Sequence, residues 1–386
     1  MLLCNLYTIG NDSTTCIHIE NGTIKDILND EQLISESSPA LRLYFDNAIA
    51  FPGLINSHDH LEFNLFPRLG NQVYESYIDW GADIQKQNKK LIEAITKIPK
   101  QYRVQWGIYK NLLNGITTVI HHGEYLNIEK AIIDVFQDWH SLHSVGREKN
   151  WKLKLNNPFA SNHPFVIHVG EGTNKESFEE ITQLIRWNFA KRKLIGVHGV
   201  SMTSQQAKAF DALIWCPDSN FFLLNATAAI NKLKSQTTIL FGTDSTVSAS
   251  WNLWEQLRLA RHTNMLTDGE LLDTLTTSPA YIWKLNNKGS LKKSKTADIV
   301  VARQKNDNDL IDGFFQLNPE DILLIIKTGK IILFDQTLEP QLSEIILNDF
   351  CKIDINGIVK LVKGDLRSLI NEITKFNPEA AFPITI

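Results

Sequence analysis

The sequence predicts an α/β chain built on a (β/α)₈, TIM-like barrel that is partly shortened in its middle, with a small β-sandwich domain built from both termini. Three observations predict it. Short apolar runs of strand type recur through the centre and end in polar residues: His58 after Leu54-Ile-Asn-Ser, His168 after Pro164-Phe-Val-Ile, His198 after Leu194-Ile-Gly-Val, and Asp244 after Thr238-Ile-Leu-Phe-Gly-Thr. Stripes of helical period follow two of them, Phe178, Ile181, Leu184 and Ile185 after the second and Leu253, Leu257 and Ala260 after the last. Both ends of the chain alternate apolar and polar residues with turn punctuation, which is strand and hairpin chemistry.

The elements follow in order. Residues 1 to 50 form a β arm with turns at Gly10-Asn11-Asp12 and Asn21-Gly22. Ala48-Ile-Ala-Phe51 and Pro52-Gly53 lead into a buried strand, Leu54 to Asn56, that ends at His58-Asp-His60. Gly115-Ile-Thr-Thr-Val-Ile-His-His122 reads as the second strand, and strand alternation sends His121 and His122 to opposite faces. Gly123 to Pro164 leaves 42 residues, where two β/α units with a connecting helix would take roughly 60 or more. The expectation there is a helix at Ile128–Phe136, a strand through His140–Ser144, a poor strand at Trp151–Leu155 and little helix before Phe165. Orderly units follow at Leu194–His198, Leu213–Cys216 and Thr238–Asp244. A second β arm holds Gly289-Ser-Leu, Ala297–Val301 and Asp321–Phe334 with a turn at Thr328-Gly-Lys330. Two arms that bracket a barrel pair with each other because neither covers its own apolar face. The expected division is 51–286 for the barrel and 1–50 with 287–386 for the composite β domain.

Composition fits an ordinary globular protein. The 386 residues are 43% apolar and 21% charged with a net charge of -4, which gives no reason to expect nucleic acid or an anionic membrane as partner. No apolar stretch reaches the ~18 residues of a membrane span, and the N-terminus lacks the basic region of a signal peptide. The expected location is the cytoplasm and the expected partner a small-molecule substrate, with a homodimer left open. Cys4, Cys16, Cys216 and Cys351 form no Cys-x-x-Cys pair, so idle thiols are expected and Cys216 is not read as a nucleophile.

Residues i and i+2 of a strand point the same way, so His58 and His60 can grip one metal ion. Polar residues gathered at the C-terminal ends of parallel strands are what a barrel uses to build a catalytic mouth. Imidazoles with one carboxylate suit Zn²⁺ and tolerate Fe²⁺ or Mn²⁺. Glu171, three residues past His168, reaches the substrate side of such a centre as a general acid; a helix N-terminus also favours a glutamate there. His143 and Arg147 are expected as substrate contacts, and Glu62, Arg68 and Trp80 as a pocket rim.

These segments, Pro52-Gly-Leu-Ile-Asn-Ser-His-Asp-His60, Gly115–Val119, His168-Val-Gly-Glu171, Gly196-Val-His198, Cys216-Pro-Asp-Ser-Asn220, Gly242-Thr-Asp-Ser245 and Ala297–Val301, occur in an order that resembles the amidohydrolase superfamily. The resemblance is closest to its mononuclear deaminase-like branch, which includes guanine, cytosine and S-adenosylhomocysteine deaminases and triazine hydrolases. It implies an aminohydrolase that releases ammonia from a small heterocycle through metal-activated water. It further implies one divalent metal ion, Zn²⁺ first and Fe²⁺ second, on His58, His60, His168 and Asp244, with Asp244 orienting and deprotonating the water and His198 bonding to it. The first alternative is a binuclear, hydantoinase-like cyclic amidase, for which Lys152 or Lys154 on the Trp151–Leu155 strand would supply a bridging lysine. A non-catalytic scaffold is the second.

Overall fold

The computed structural model describes residues 1–29, 41–128, 131–342 and 348–386. The N-terminal arm gives β1 (Leu2–Thr8), β2 (Asn11–Glu20), β3 (Thr23–Asn29) and β4 (Arg42–Pro52). Eight short strands follow: β5 (Leu54–Asp59), β6 (Ile116–His121), β7 (Asp134–Phe136), β8 (His140–Ser144), β9 (Phe165–Val169), β10 (Leu194–His198), β11 (Ala212–Trp215) and β12 (Thr238–Phe241). The C-terminal arm gives β13 (Ile299–Arg303), β14 (Ile322–Lys327), β15 (Lys330–Asp335), β16 (Phe350–Ile355) and β17 (Ile358–Lys363).

The two arms share one nine-stranded sheet in the order β16-β17-β15-β14-β13-β4-β1-β2-β3. Its seam is the antiparallel pair β4 and β13, with Phe51 opposite Val300 and Ala50 opposite Val301. Leu6, Ile17 and Phe45 of the first arm pack with Val301, Leu324 and Phe334 of the second in one buried cluster, so each arm covers the other's apolar face. Asn21 and Gly22 both take positive φ, 49° and 77°, the pair of left-handed conformations that a tight two-residue hairpin needs and that Asn-Gly adopts at little cost.

The eight central strands pair in parallel, as β5-β6-β7 and as β12-β11-β10-β9-β8. The two sheets meet where Asp244 N donates to His58 O at 3.1 Å. Gly242 makes this approach feasible, since a Cβ there would lie 2.7 Å from His58 Cβ. Strands buried on both faces need continuous apolar runs, and β9, β10 and β11 are buried at every residue.

The chain departs from expectation in three places. Asp134–Phe136 is a strand pairing with β6, where a helix was expected from Ile128; Glu129 and Lys130 lie outside the described residues. The run Ile-Ile-Asp-Val-Phe is rich in β-branched and aromatic side chains, which crowd a helix and suit a pleat. Trp151–Leu155 is a one-turn helix, not a strand. Its alternation misleads because Leu153 is 75% exposed; the buried pair is Trp151 and Leu155, spaced i, i+4, as one helical face requires. On the helix Lys175–Trp187, Ile181 and Leu184 are buried as expected, but Phe178 is 41% exposed.

Beneath the strand ends lies a buried ion pair. Asp59 and Lys110, the latter on the helix Lys100–Leu113, are both fully buried, with Nζ 3.1 Å from Oδ2. Asn111 Nδ2 also donates to Asp59 Oδ2 at 2.7 Å and Asn64 Nδ2 to Oδ1 at 2.9 Å. Lys110 donates in turn to Thr243 Oγ1 at 3.1 Å. Removing one partner of such a pair strands the other charge and costs about 3–5 kcal/mol. Lys110→Met is therefore expected to lower the urea midpoint sharply, and Asp59→Asn added to it should recover part of the loss. A single variant as stable as the parent would contradict the assignment.

Candidate active site

Strand β5 carries His58 and ends at Asp59, and His60 follows it directly with its ring beside that of His58, 4.9 Å between centroids. His168, at the end of β9, completes a cluster: its Nε2 lies 3.3 Å from Nε2 of His60 and 3.3 Å from Nε2 of His58. These three are the group placed to hold a metal ion among the described residues. Their spacing suits one. Two Zn–N bonds of 2.0–2.1 Å at a tetrahedral angle put the nitrogens about 3.3 Å apart. Asp244 Oδ1 is 4.0 Å from His60 Nε2.

The rings are set for ligation. His168 Nδ1 donates to His143 O at 2.9 Å, which leaves the Nε2 lone pair facing the cluster. Burial, and then the neighbouring imidazoles, hold His58 and His168 well below the ordinary histidine range, so both are neutral and can bind a cation. Asp244 is buried, which pushes its pKa up, but His60, His198 and hydrogen bonds from Ser245 N and Ser219 Oγ outweigh this and keep it below the usual carboxylate value. Ser219 and Ser248 donate to its Oδ2 at 2.9 and 3.1 Å. Asp244 and His198 sit at φ 53° and 71°, a left-handed backbone that costs a non-glycine residue about 1 kcal/mol or more and marks strand ends bent to aim a side chain.

A second group faces the cluster. Glu171 Oε2 is 3.6 Å from His198 Nε2, and His198 Nδ1 donates to Asn220 Oδ1 at 2.8 Å, so His198 Nε2 is free to accept. Burial, then Asp244 and Glu180, raise the Glu171 pKa well above its ordinary value, with Arg147 opposing. The loop that carries Glu171 is tied down, because Tyr77 N donates to Glu171 O at 3.1 Å and Thr173 N to Glu75 O at 2.8 Å. A cavity of about 320 Å³ opens here, with His60, His168, Glu171, His198 and Asp244 on its floor and Phe63, Phe66, Tyr77, Trp80 and Leu223 in its wall. A larger recess, about 770 Å³, lies elsewhere and contains none of the floor residues.

His143 and Arg147 both line the cavity, as does Trp80. Glu62 and Arg68 do not: Arg68 pairs with Asp218, and Glu62 lies 3.9 Å from His121 and 3.7 Å from Lys100. His140 bonds instead to Ser161 O at 3.1 Å. Lys152 lies over the Trp187 ring and Lys154 pairs with Glu148, so neither joins the cluster. Sequence reasoning missed Lys110 and Asn111, and it assigned no task to Ser219 and Asn220 although their motif was in view. Their signal was the motif Cys216-Pro-Asp-Ser-Asn220, which opens the helix Pro217–Leu224 against Asp244 and His198.

Residues 159–332 match the model of the Amidohydrolase family. A 5-methylthioadenosine/S-adenosylhomocysteine deaminase of Caldicellulosiruptor saccharolyticus is 23% identical over 88% of this chain and 93% of its own. A 5'-deoxyadenosine deaminase of Methanosphaera stadtmanae is 21% identical over 83% and 90%. The fold matches that of an adenosine deaminase from Xanthomonas campestris with bound zinc, at TM-score 0.73 and 14% identity over 98% of both chains. It also matches a 5-methylcytosine deaminase from Klebsiella pneumoniae, at TM-score 0.65 and 15% identity over 86% and 97%. The segment that is similar to the Amidohydrolase family includes His168, Glu171, His198 and Asp244.

Proposed function

We propose that this protein is a metal-dependent aminohydrolase that replaces the amino group of a small heterocycle with oxygen from water and releases ammonia. One observation carries the reading: His60 and His168 of the Nε2 trio with His58, the carboxylate of Asp244 and the Glu171–His198 pair line one cavity. His58, His60, His168 and Asp244 are the residues that would hold the ion. When bound, a divalent ion of this type draws the pKa of water from 15.7 to about 7 and supplies hydroxide at neutral pH.

The rest is done by the chain. Asp244, kept ionised by its hydrogen bonds, accepts a proton from the attacking water. The C–O bond that forms makes the ring carbon tetrahedral, and a neighbouring ring nitrogen must then take a proton. Glu171, kept protonated by burial, donates it, and His198 Nε2 accepts a hydrogen bond from the hydroxyl that the attacking water has become. The C–N bond breaks as the amine takes the proton that Asp244 accepted and leaves as ammonia, while the hydroxyl proton passes to the Glu171 carboxylate, so that both carboxyls return to their starting states. Two carboxyls driven in opposite directions by their surroundings are the pattern expected of a base and an acid in one site.

A cavity of about 320 Å³ suits a small ring near the lower end of ligand-site volumes. The wall is aromatic and aliphatic, and His143 and Arg147 supply polar contacts. Aminated purines and pyrimidines fit these terms, and adenine nucleosides of the kind named for the relatives belong in the first panel. In this reading the eight parallel strands close as a barrel over residues 51–286, with 1–50 and 287–386 as one β domain. The four cysteines form no Cys-x-x-Cys pair, which suits a cytoplasmic location.

Three outcomes are expected. Purified protein carries about one divalent ion per chain, zinc or iron, and His168→Ala loses it; elemental analysis of both samples decides, and two ions per parent chain would refute the mononuclear assignment. Glu171→Gln keeps the metal but loses about 10²- to 10⁴-fold in kcat, the usual weight of one acid–base group; a metal-free variant would make Glu171 a ligand or its support. In ¹⁸O-water the product carries one labelled oxygen on an intact ring with free ammonia. A labelled carboxylate from an opened ring would instead establish cyclic amide hydrolysis.

A further inference from the structure

Glu180 lies on the helix Lys175–Trp187 and is buried, with 7% of its surface exposed. A carboxyl group in the interior loses its water shell and is seldom found there without a partner. Its partner here is a backbone amide: Gly170 N donates to Glu180 Oε1 at 2.6 Å. Burial pushes the carboxyl up to about 7, and the Gly170 amide is what opposes it. The same helix buries Ile181 and Leu184 completely, so an aliphatic side chain would serve the core as well. A carboxyl retained at such a position calls for a task.

The amide it holds stands between two residues of the site. Gly170 comes two residues after His168 and one before Glu171. Its φ of 62° is left-handed, and a Cβ there would lie 2.7 Å from Ile181 Cδ1. Glycine adopts this conformation freely and leaves it as freely, so contacts must pin the turn. Most of those contacts are backbone to backbone: Val169 O accepts from Gly199 N at 3.0 Å, Gly170 O from Ser201 N at 3.1 Å and Glu171 O from Tyr77 N at 3.1 Å. The Gly170 N–H, in contrast, is met by a side chain. Without that acceptor a buried donor is left unmet, and a peptide that turns to find another carries the Glu171 carboxyl with it.

We propose that Glu180 is a positioning residue for the reaction: by holding the Gly170 amide it sets the place of the Glu171 carboxyl, 3.6 Å from His198 Nε2. This rests on the acid role given to Glu171 above. Misplacing a reacting group by about 1 Å, through a change away from the chemistry, costs about 10²-fold in rate. His168 is shielded from such a shift, because β9 pairs on both sides there, with Ser144 of β8 and Val197 of β10 opposite it. Loss of the Glu180 carboxyl therefore moves the acid and leaves the histidine trio in place.

The test compares Glu180→Met, similar in length but offering only a weak sulfur acceptor, with Glu180→Gln, whose amide oxygen still accepts from Gly170 N. Both are read for metal content, for kcat and KM on a substrate of the panel, and for hydrogen exchange at Gly170. Glu180→Met should retain its metal and KM, exchange the Gly170 amide faster and lose about 10²-fold in kcat; Glu180→Gln should recover most of that loss. Added to Glu171→Gln, Glu180→Met should cost nothing further, because the group it positions is already gone. Should Glu180→Met not fold, Glu180→Asp withdraws the acceptor by one methylene and serves in its place. An equal loss in the Glu171→Gln background, no recovery in Glu180→Gln, a lost metal, or unchanged exchange or kcat in a folded variant overturns the proposal and leaves the metal-dependent reading standing. A parent that binds no metal and releases no ammonia overturns both.

Discussion

The buried pair of Asp59 and Lys110 is the constraint on which the site depends. Asp59 lies between His58 and His60, so fixing its carboxylate fixes the pleat that aims both imidazoles. Lys110 also reaches Thr243 Oγ1 and, at 3.5 Å, Asp244 O, and Asn56 Oδ1 accepts from Thr243 N at 3.1 Å. One interior cation therefore ties the end of β5 to the segment after β12, and those two segments carry three of the four proposed ligands. A buried ion pair is weak evidence for stability, since well-packed apolar groups of similar volume often do as well. Its saturation by Asn64, Asn111 and Thr243 is better understood as positional: apolar packing would hold the strands together without fixing their register and rotation this closely.

Most of the site was legible because it follows the chain's own periods. The alternation of a strand predicts that His58 and His60 share a side, and strand ends predict where His168, His198 and Asp244 gather. Alternation also separates His121 from His122. It cannot say what stands opposite, so Lys110 reads only as one lysine on a helix until the structure sets Asp59 against it. The same limit explains Ser219 and Asn220, whose partners Asp244 and His198 lie 25 and 22 residues away. The middle of the chain failed for another reason. Trp-Lys-Leu-Lys-Leu satisfies a period of two and a one-turn helix equally well, and only the burial of Trp151 and Leu155 with Leu153 left outside separates them.

Crowding sets the electrostatics. His58, His122 and His168 are each buried beside other imidazoles, and both effects disfavour the charged ring. A cluster that cannot hold protons retains its lone pairs, which is the condition for binding a cation near neutral pH. The carboxyls divide because their hydrogen bonds differ. Asp244 accepts from Ser219, Ser245 and Ser248, whereas Glu171 meets burial and two like charges with Arg147 alone in opposition. Burial also raises the Cys216 thiol well above its ordinary range, which removes it as a nucleophile although it lies at the end of β11.

The same geometry argues against a binuclear centre. A bridging lysine would have to reach the cluster from the end of a middle strand, and the two candidates sit on the helix Trp151–Leu155 with other partners. Lys110 is the lysine that does approach Asp244, but its ammonium is engaged by Asp59 and Thr243, and withdrawing it would leave Asp59 uncompensated. The space beside the histidine trio is instead taken by a fourth ring, His122, backed by Trp139. In the proposed reading His58, His60 and His168 would hold one ion, and Glu171 and His198 line the cavity beside His60 and His168.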